Sequence, residues 1–165
     1  FNTIKNEYPE FGTIGAGSEI EVLHHSVFIQ RLLTQSKLPL NDVLKDRDFT
    51  FHDPCYLGRY NEHYEEPRDT LVQLGANIKE MSLNKQKGMC CGAGGGHFWM
   101  DLKAGERVNV LRIEQAAETA VGEVATACPF CLHMLEDGAK LSDREESLQI
   151  RDLAEIIAEH LVEAH

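Results

Sequence analysis

The segment Glu123-Val-Ala-Thr-Ala-Cys-Pro-Phe-Cys131 indicates the fold class and carries part of a candidate site. Its first five residues are mostly apolar and follow Gly122, which ends a helical pattern, so they predict a buried strand. Residues 130–139 have a helical pattern of their own. The segment therefore predicts a strand that delivers Cys128 at its end and a helix that begins at a Cys-x-x-Cys motif.

The same alternation of strands and helices extends through the rest of the chain. Strands are predicted at residues 19–23, 48–52, 77–81, 123–127 and 147–150. Helices are predicted from Ser26 to Leu33, from Pro67 to Leu74, over residues 104–120 and after Asp152. Ser26 and Asp152 are the expected N-caps of their helices, and a helical segment that opens the chain is expected to end near Pro9. This order predicts the α/β class, with a Rossmann-like parallel sheet and flanking helices.

All the cysteines of the chain lie next to predicted turns: Cys55, Cys90, Cys91, Cys128 and Cys131. Three groups result, with 34 residues between the first and second and 36 between the second and third. Because ligands bind at the carboxyl ends of strands in parallel sheets, we expect the three groups to converge there. Adjacent side chains diverge on a regular backbone, so a useful cysteine pair needs the irregular backbone that the glycine run at residues 92–96 supplies.

The cysteine set indicates a metal or redox site, and the residues alone leave its type open. An odd number of cysteines fits a disulfide framework poorly. Structural zinc takes four ligands, usually as two close pairs, whereas a ferredoxin-type cubane needs a compact Cys-x-x-Cys-x-x-Cys run. Five thiolates exceed both requirements, which favours a larger or irregular cluster. A thioredoxin-type dithiol formed by Cys128 and Cys131 is a further alternative.

Other residues near the cysteines are candidates for supporting roles. His52 and His97 are candidate proton donors to a leaving thiolate, or hydrogen-bond partners of the site, and Asp53 is expected to cap a turn. Gly92 and Gly94 are candidates to stabilise an anionic cofactor through backbone N–H groups, as anion nests do. A dinucleotide-binding loop is not indicated, because His97 stands where a third glycine is required.

Composition narrows the class of protein. The chain has 165 residues, 42% of them hydrophobic, which suits one well-packed α/β domain. A net charge of −11 argues against nucleic-acid binding, since lysines and arginines form no basic stripe. No apolar run approaches the roughly 20 residues that span a bilayer, and no signal peptide is visible. We therefore expect a cytoplasmic location and no membrane span in these residues.

The chain contains a partial internal repeat. The stretch Ile20–His24 and the helix after it have the same pattern as Leu148–Asp152 and the final helix. The second unit follows a helix that starts at a Cys-x-x-Cys motif, and the first follows a helix already under way at Phe1. We therefore expect an upstream copy whose own motif would end just before Phe1.

Three motifs carry a resemblance to a known family. They are His52-Asp-Pro-Cys-Tyr-Leu-Gly-Arg59, Cys90-Cys-Gly-Ala-Gly-Gly-Gly96 and Ala127-Cys-Pro-Phe-Cys131. Over roughly residues 48–163 the chain resembles the CCG cysteine-rich domain that is found in heterodisulfide reductases and their relatives. It is most similar to iron–sulfur-binding reductases that act beside electron-transfer flavoproteins.

The resemblance implies specific roles, which are expectations at this point. All five cysteines would ligate a noncubane [4Fe-4S] cluster; zinc is the alternative, because some CCG domains hold it. Residues 1–45 would be the trailing part of an upstream CCG-like repeat, and residues 46–165 the cluster-binding domain.

The resemblance also implies a function and partners. The chain would pass electrons between a flavoprotein and a quinone or a thiol/disulfide couple. Its partners would be the upstream CCG domain, other proteins of the same complex and an electron-transfer flavoprotein, and the parent protein would be associated with the cytoplasmic side of a membrane. The alternative function is a zinc-stabilised interaction module without redox turnover.

Overall fold

The structure is a computed structural model that describes residues 1–12, 20–38, 40, 42–100 and 107–161. Within these ranges the strands are β1 (Asp48–Phe51), β2 (Asn77–Ile78), β3 (Glu123–Thr126) and β4 (Gln149–Asp152). The helices are α1 (His25–Thr34), α2 (Gly58–Asn61), α3 (Glu66–Gln73), α4 (Val108–Ala117), α5 (Pro129–Leu141) and α6 (Leu153–Ala158). Short helical turns occupy Thr3–Glu7, Tyr8–Phe11, Lys85–Lys87 and Gly94–Trp99.

The four strands form one parallel sheet in the order β2-β1-β3-β4. From β1 the chain passes through α2 and α3 to the neighbouring strand β2, and it then returns through α4 to β3 on the other side of β1. The connections that leave β1 and β3 therefore diverge, which opens a crevice at the carboxyl ends of these two strands. The prediction of an α/β fold with a parallel sheet is confirmed.

Helices cover both faces of the sheet, and each face has its own hydrophobic core. On one face Phe49 and Phe51 of β1 pack with Leu71 of α3 and Ile156 of α6. On the other face the core joins α4 and α5 to the sheet, and its buried members are Met81, Ile113, Ala116, Val124, Leu135, Ala139 and Leu148. Strands buried on both faces read as continuous apolar runs, which explains the sequence of β3.

The two helices of the internal repeat begin at equivalent positions. Asp152 caps α6 as predicted, because its Oδ1 accepts a hydrogen bond of 2.8 Å from the backbone N–H of Ala154. The predicted cap of α1 is wrong by two residues. His24 caps that helix through Nδ1, which lies 3.3 Å from the backbone nitrogen of Ser26, and Ser26 is buried inside the first turn.

Several predicted boundaries differ from the structure. Residues 20–23 do not form the predicted strand, and residue 19 lies outside the described residues. An extended segment becomes a strand only beside a hydrogen-bonding neighbour, and the described residues supply none there. The edge strand β2 ends at Ile78 and not at residue 81 as predicted. The strand at the other edge, β4, begins at Gln149, two residues later than predicted. Of the helix predicted at 104–120, residues 104–106 lie outside the described ranges, and α4 ends at Ala117.

The contact between α4 and α5 depends on a glycine and gives a stability prediction. A Cβ at Gly138 would lie 2.9 Å from the Asn109 carbonyl oxygen and 3.0 Å from its carbon, so Gly138→Ala has to push the two helix backbones apart. Overpacking costs about 1–3 kcal/mol, and alanine regains about 1 kcal/mol of helix propensity. We expect a net loss of about 1 kcal/mol, seen as a fall of about 2–4 °C in the thermal midpoint.

Gly122→Ala is the matched control for this change. A Cβ at Gly122 would meet only the Ser147 carbonyl oxygen, at 4.0 Å. The thermal midpoint of this variant should stay unchanged. An equal fall for both variants would show that the close contact at Gly138 does not limit stability.

Candidate metal centre

The candidate site lies at the carboxyl ends of β1 and β3, in the crevice described above. The residues His52-Asp-Pro leave β1 and place Cys55 on the following turn. Cys128 follows β3 and precedes the first turn of α5, which carries Cys131. Cys131 is buried, whereas Cys55 and Cys128 are half-buried. The expectation that cysteines lie at strand ends agrees with this placement.

The Cys90-Cys91 pair reaches the same crevice on the loop that follows β2. Cys91 is buried and Cys90 is half-buried. Gly92 adopts a φ of +91°, and a Cβ there would approach Val108 Cβ to 3.3 Å, so the loop can lie against α4 only with glycine. The backbone N–H of Gly92 donates to Cys90 Sγ over 3.3 Å. Gly94 is exposed and has open space around it.

The five thiols form one connected group around Cys91. The Cys131 thiol donates to Cys91 Sγ over 3.4 Å, and the Cys90 thiol is also hydrogen-bonded to Cys91. Cys128 is hydrogen-bonded to Cys131, and Cys55 interacts electrostatically with both Cys91 and Cys128. All five are free thiols. They come from three separate loops and give the site five sulfur donors.

Hydrogen bonds among the thiols divide them into two classes. Donation from Cys131 and from Cys90 lowers the pKa of Cys91, and donation from Cys131 lowers the pKa of Cys128 to about 7. The same contacts raise the pKa of Cys131 and of Cys90, while burial raises the pKa of Cys55. Cys91 and Cys128 therefore lose their protons more readily than the other three cysteines, whose protons metal binding has to release.

Two buried side chains, His52 and Arg112, lie behind the thiols. The ligand atoms of His52, Cys91 and Cys131 lie within 4.8 Å of one another. The Arg112 Nε donates to His52 Nδ1 over 3.0 Å, and both side chains are almost fully buried, His52 at 1% and Arg112 at 0% exposure. Burial lowers the pKa of His52, although the nearby Cys91 opposes this, and burial lowers the pKa of Arg112 to about 10.

Sequence reasoning missed Arg112, although a signal for it exists. It lies four residues after Val108 and four before Ala116, and both of those positions are on the predicted buried side of the helix. A charged residue on an apolar helix face marks a buried polar contact.

A buried ion-pair network joins the loops that carry Cys55 and Cys90. Asp53 accepts two hydrogen bonds from the Arg68 guanidinium, at 2.7 and 3.1 Å, and Arg68 also pairs with Glu80. The second oxygen of Asp53 accepts the backbone N–H of Lys85 over 2.7 Å. Asp53 therefore ties the turn after β1 to the turn that leads into the cysteine pair. Asp53, which was expected to cap a turn, thus links two loops.

His97 and its aromatic neighbours lie at the rim of the site. The ring of His97 is exposed and makes no hydrogen bond to another described residue. Phe98 packs edge-to-face against Trp99 and Phe130, with ring centroids 4.8 and 5.0 Å apart, and Trp99 is 80% exposed. The structure thus places His97 beside the glycine run and His52 behind the thiols.

The fold and the thiol group together define a cysteine-rich metal or redox domain on a parallel α/β sheet. The comparisons with known proteins agree, since the family model named CCG, cysteine-rich domain, matches residues 49–136. The chain belongs to the CCG cysteine-rich domain family, as its motifs predicted.

Relatives of the chain are redox proteins by name. It is 41% identical to the probable iron-sulfur-binding oxidoreductase FadF of Bacillus subtilis, over 99% of this chain and 23% of that protein. It is 37% identical to the EtfAB:quinone oxidoreductase of Syntrophomonas wolfei, over 95% of this chain and 22% of that protein. It is 31% identical to one of the subunits of the dihydromethanophenazine:CoB–CoM heterodisulfide reductase of Methanosarcina barkeri, over 98% of this chain and 38% of that protein.

The chain thus spans less than a quarter of the length of the first two of these relatives. In the part of the chain that the structure describes, no helix combines the length and the apolar character needed to cross a bilayer.

Proposed function

We propose that this chain is an iron–sulfur electron-transfer domain of an oxidoreductase, in which Cys55, Cys90, Cys91, Cys128 and Cys131 hold a [4Fe-4S] cluster of the noncubane type. The connected group of five free thiols carries the proposal. Thiolates are the ligands that iron–sulfur clusters require, and a single structural zinc ion takes only four. Such a cluster supplies a site that gains and loses single electrons.

The surroundings of the thiols fit an anionic metal centre. Arg112 is fully buried, and the described residues supply it with no carboxylate partner within ion-pair distance. Its Nη2 and His52 Nε2 are buried and lack a hydrogen-bond partner among the described residues. A buried cation and an unsatisfied N–H donor are both stabilised by negative charge on nearby sulfur atoms.

The five cysteines differ in their exposure to solvent, which gives the site a buried side and an open side. Cys91 and Cys131 are buried and form the buried side, whereas the half-buried Cys55, Cys90 and Cys128 form the open side. The open side is where a redox partner or a disulfide substrate would approach. We assign proton delivery during such chemistry to His97, which solvent reaches, and anion stabilisation to the backbone N–H groups of Gly92 and Gly94.

The partners follow from the same proposal. Exposed aromatic side chains flank the open side: Tyr56 and Tyr60 stack with centroids 4.9 Å apart, and Trp99 lies near the glycine run. Aromatic residues of this kind are enriched at interfaces. We assign this surface to other proteins of the same complex, with an electron-transfer flavoprotein as electron donor and a quinone or a thiol/disulfide couple as acceptor, by analogy with the relatives' names.

The domain division is also part of the proposal. Residues 1–45 would end an upstream CCG-like repeat, and residues 46–165 would form the second one. The equivalent caps His24 and Asp152 support this division, since each precedes a helix at the same position of the internal repeat. The parent protein would be associated with the cytoplasmic side of a membrane.

Metal analysis of the full-length protein tests the proposal. Anaerobic purification followed by iron, sulfide and zinc determination should give iron and sulfide in excess of any zinc that is present. Reduction should produce an electron paramagnetic resonance signal. The signal belongs to this site if it is absent from a variant without the five cysteines. Stoichiometric zinc in place of iron at this site would overturn the proposal and favour the zinc-stabilised interaction module.

A further inference from the structure

We infer that Arg112 fixes His52 as a hydrogen-bond donor to the Cys91 sulfur and thereby excludes His52 from the ligand set of the metal. His52, Cys91 and Cys131 lie close enough together to suggest a three-residue metal site. The hydrogen bond behind the imidazole decides which role His52 has. The inference rests on the proposed function only in requiring that a metal occupies the thiol site.

The tautomer of His52 follows from its partner at Nδ1. A neutral imidazole carries a proton on one nitrogen and a lone pair on the other. The Arg112 Nε–H donates to His52 Nδ1 over 3.0 Å, and a guanidinium offers only donors, so Nδ1 carries the lone pair. The proton therefore resides on Nε2, the buried nitrogen that is unsatisfied within the described residues.

This arrangement is the reverse of the one found in metal-binding histidines. A ligating imidazole binds the metal with one nitrogen and donates its other N–H to a carboxylate, a carbonyl or water. His52 has a donor where such a histidine needs an acceptor. Nε2 consequently presents an N–H to the site, where the ligand atoms of His52, Cys91 and Cys131 lie within 4.8 Å of one another, and the Cys91 sulfur would accept this N–H once a metal holds it as a thiolate.

Arg112 is held in the position that this role requires. Its Nη1 donates to the Leu83 carbonyl over 2.7 Å and to Gln115 Oε1 over 2.8 Å, and its side chain is fully buried. Asp53 and Glu80 are the carboxylates whose charges reach Arg112, and both are bound by Arg68. With these contacts in place, Arg112 is a positioning residue that acts on the site through His52.

An N–H donated to a metal-bound sulfur stabilises the more negative, reduced state. We therefore expect His52→Phe to lower the reduction potential of the site. At a fixed potential the ratio of reduced to oxidised protein should fall about tenfold, which is equivalent to about 59 mV for one electron. His52→Gln should keep most of the wild-type potential, because a glutamine amide presents an N–H at a similar distance from the backbone. A purely structural role for His52 predicts the same potential in both variants.

The test uses full-length, iron-loaded protein labelled with ¹⁵N-histidine. Pulsed electron paramagnetic resonance should detect a weak nitrogen coupling and an exchangeable proton in the wild-type protein. Both should disappear in His52→Phe, the proton should persist in His52→Gln, and it should weaken in Arg112→Met. Arg47→Met removes the same charge at the opposite end of the sheet, where Arg47 pairs with Glu123, and should change nothing at the site.

Failure of the inference is distinguishable from failure of the proposed function. A strong nitrogen coupling that His52→Phe abolishes would identify His52 as a ligand and overturn the inference. If the site holds zinc, X-ray absorption replaces the magnetic measurement. Sulfur ligands alone, at about 2.3 Å, would support the inference, and a nitrogen ligand at about 2.0 Å that is lost in His52→Phe would overturn it. If Arg112→Met does not fold, the two His52 variants decide.

Discussion

We expect Cys91→Ala to lower the iron content attributable to this site by more than about tenfold, because even loss of an outer partner of a metal site costs about 10–100-fold in metal affinity. Cys91 is the residue on which the group depends. It contacts the Cys131 and Cys90 thiols, it has its pKa lowered by them, and it lies within reach of His52. Iron and sulfide determination on anaerobically purified full-length protein measures the effect.

Gly138→Ala serves as the control for this result. It weakens the packing of α4 on α5 without altering any of the five thiols, so its iron content should remain at the wild-type level. Retention of iron in Cys91→Ala would remove Cys91 from the ligand set. Retention of redox activity without iron would instead favour a dithiol formed by Cys128 and Cys131.

Arg68→Met should destabilise the domain by about 3–5 kcal/mol, because it leaves the buried Asp53 carboxylate without its cation. The Asp53 and Arg68 side chains are only 5% and 6% exposed, and their bidentate contact is joined by Glu80. Loss of the guanidinium also weakens the link through Asp53 to Lys85, so the two loops that carry Cys55 and Cys90 should separate more easily. Chemical denaturation of wild-type and variant protein measures the loss of stability.

Two further variants give this prediction its controls. The first combines Arg68→Met with Asp53→Asn, which removes the carboxylate that Arg68→Met leaves without a cation. This double variant should therefore be more stable than Arg68→Met alone. Arg144→Met removes a partly exposed ion pair with Glu114, which water screens, and should leave the unfolding midpoint nearly unchanged. Equal losses for Arg68→Met and Arg144→Met would contradict a buried origin of the effect.

The fold could be predicted because its signals are local. Apolar runs, and the residues that end them, predict the strands that precede Cys55 and Cys128. They also predict the cap at Asp152 and the helix that contains Cys131. Residues 20–23 have the same local signal and form no strand among the described residues. Strand formation there depends on a neighbouring backbone, which a local pattern does not contain.

The supporting residues of the site were harder to predict because their partners are distant in sequence. Asp53 meets Arg68 and the backbone of Lys85, and His52 meets Arg112, 60 residues further along the chain. A sequence identifies such residues as polar but does not say whether they point inward or which residue they meet. Gly138 is a similar case, since its role is visible only once α4 lies against α5.

The unequal burial of the thiols has a consequence for how fast the site would exchange electrons and how long it would survive in air. Electrons tunnel more rapidly across shorter gaps, and the half-buried Cys55, Cys90 and Cys128 place the sulfur atoms close to the molecular surface. A partner docked there would need no intervening carrier. The same opening admits dioxygen, so a partner that covers this side would complete the electron path and protect the site from oxidative decay.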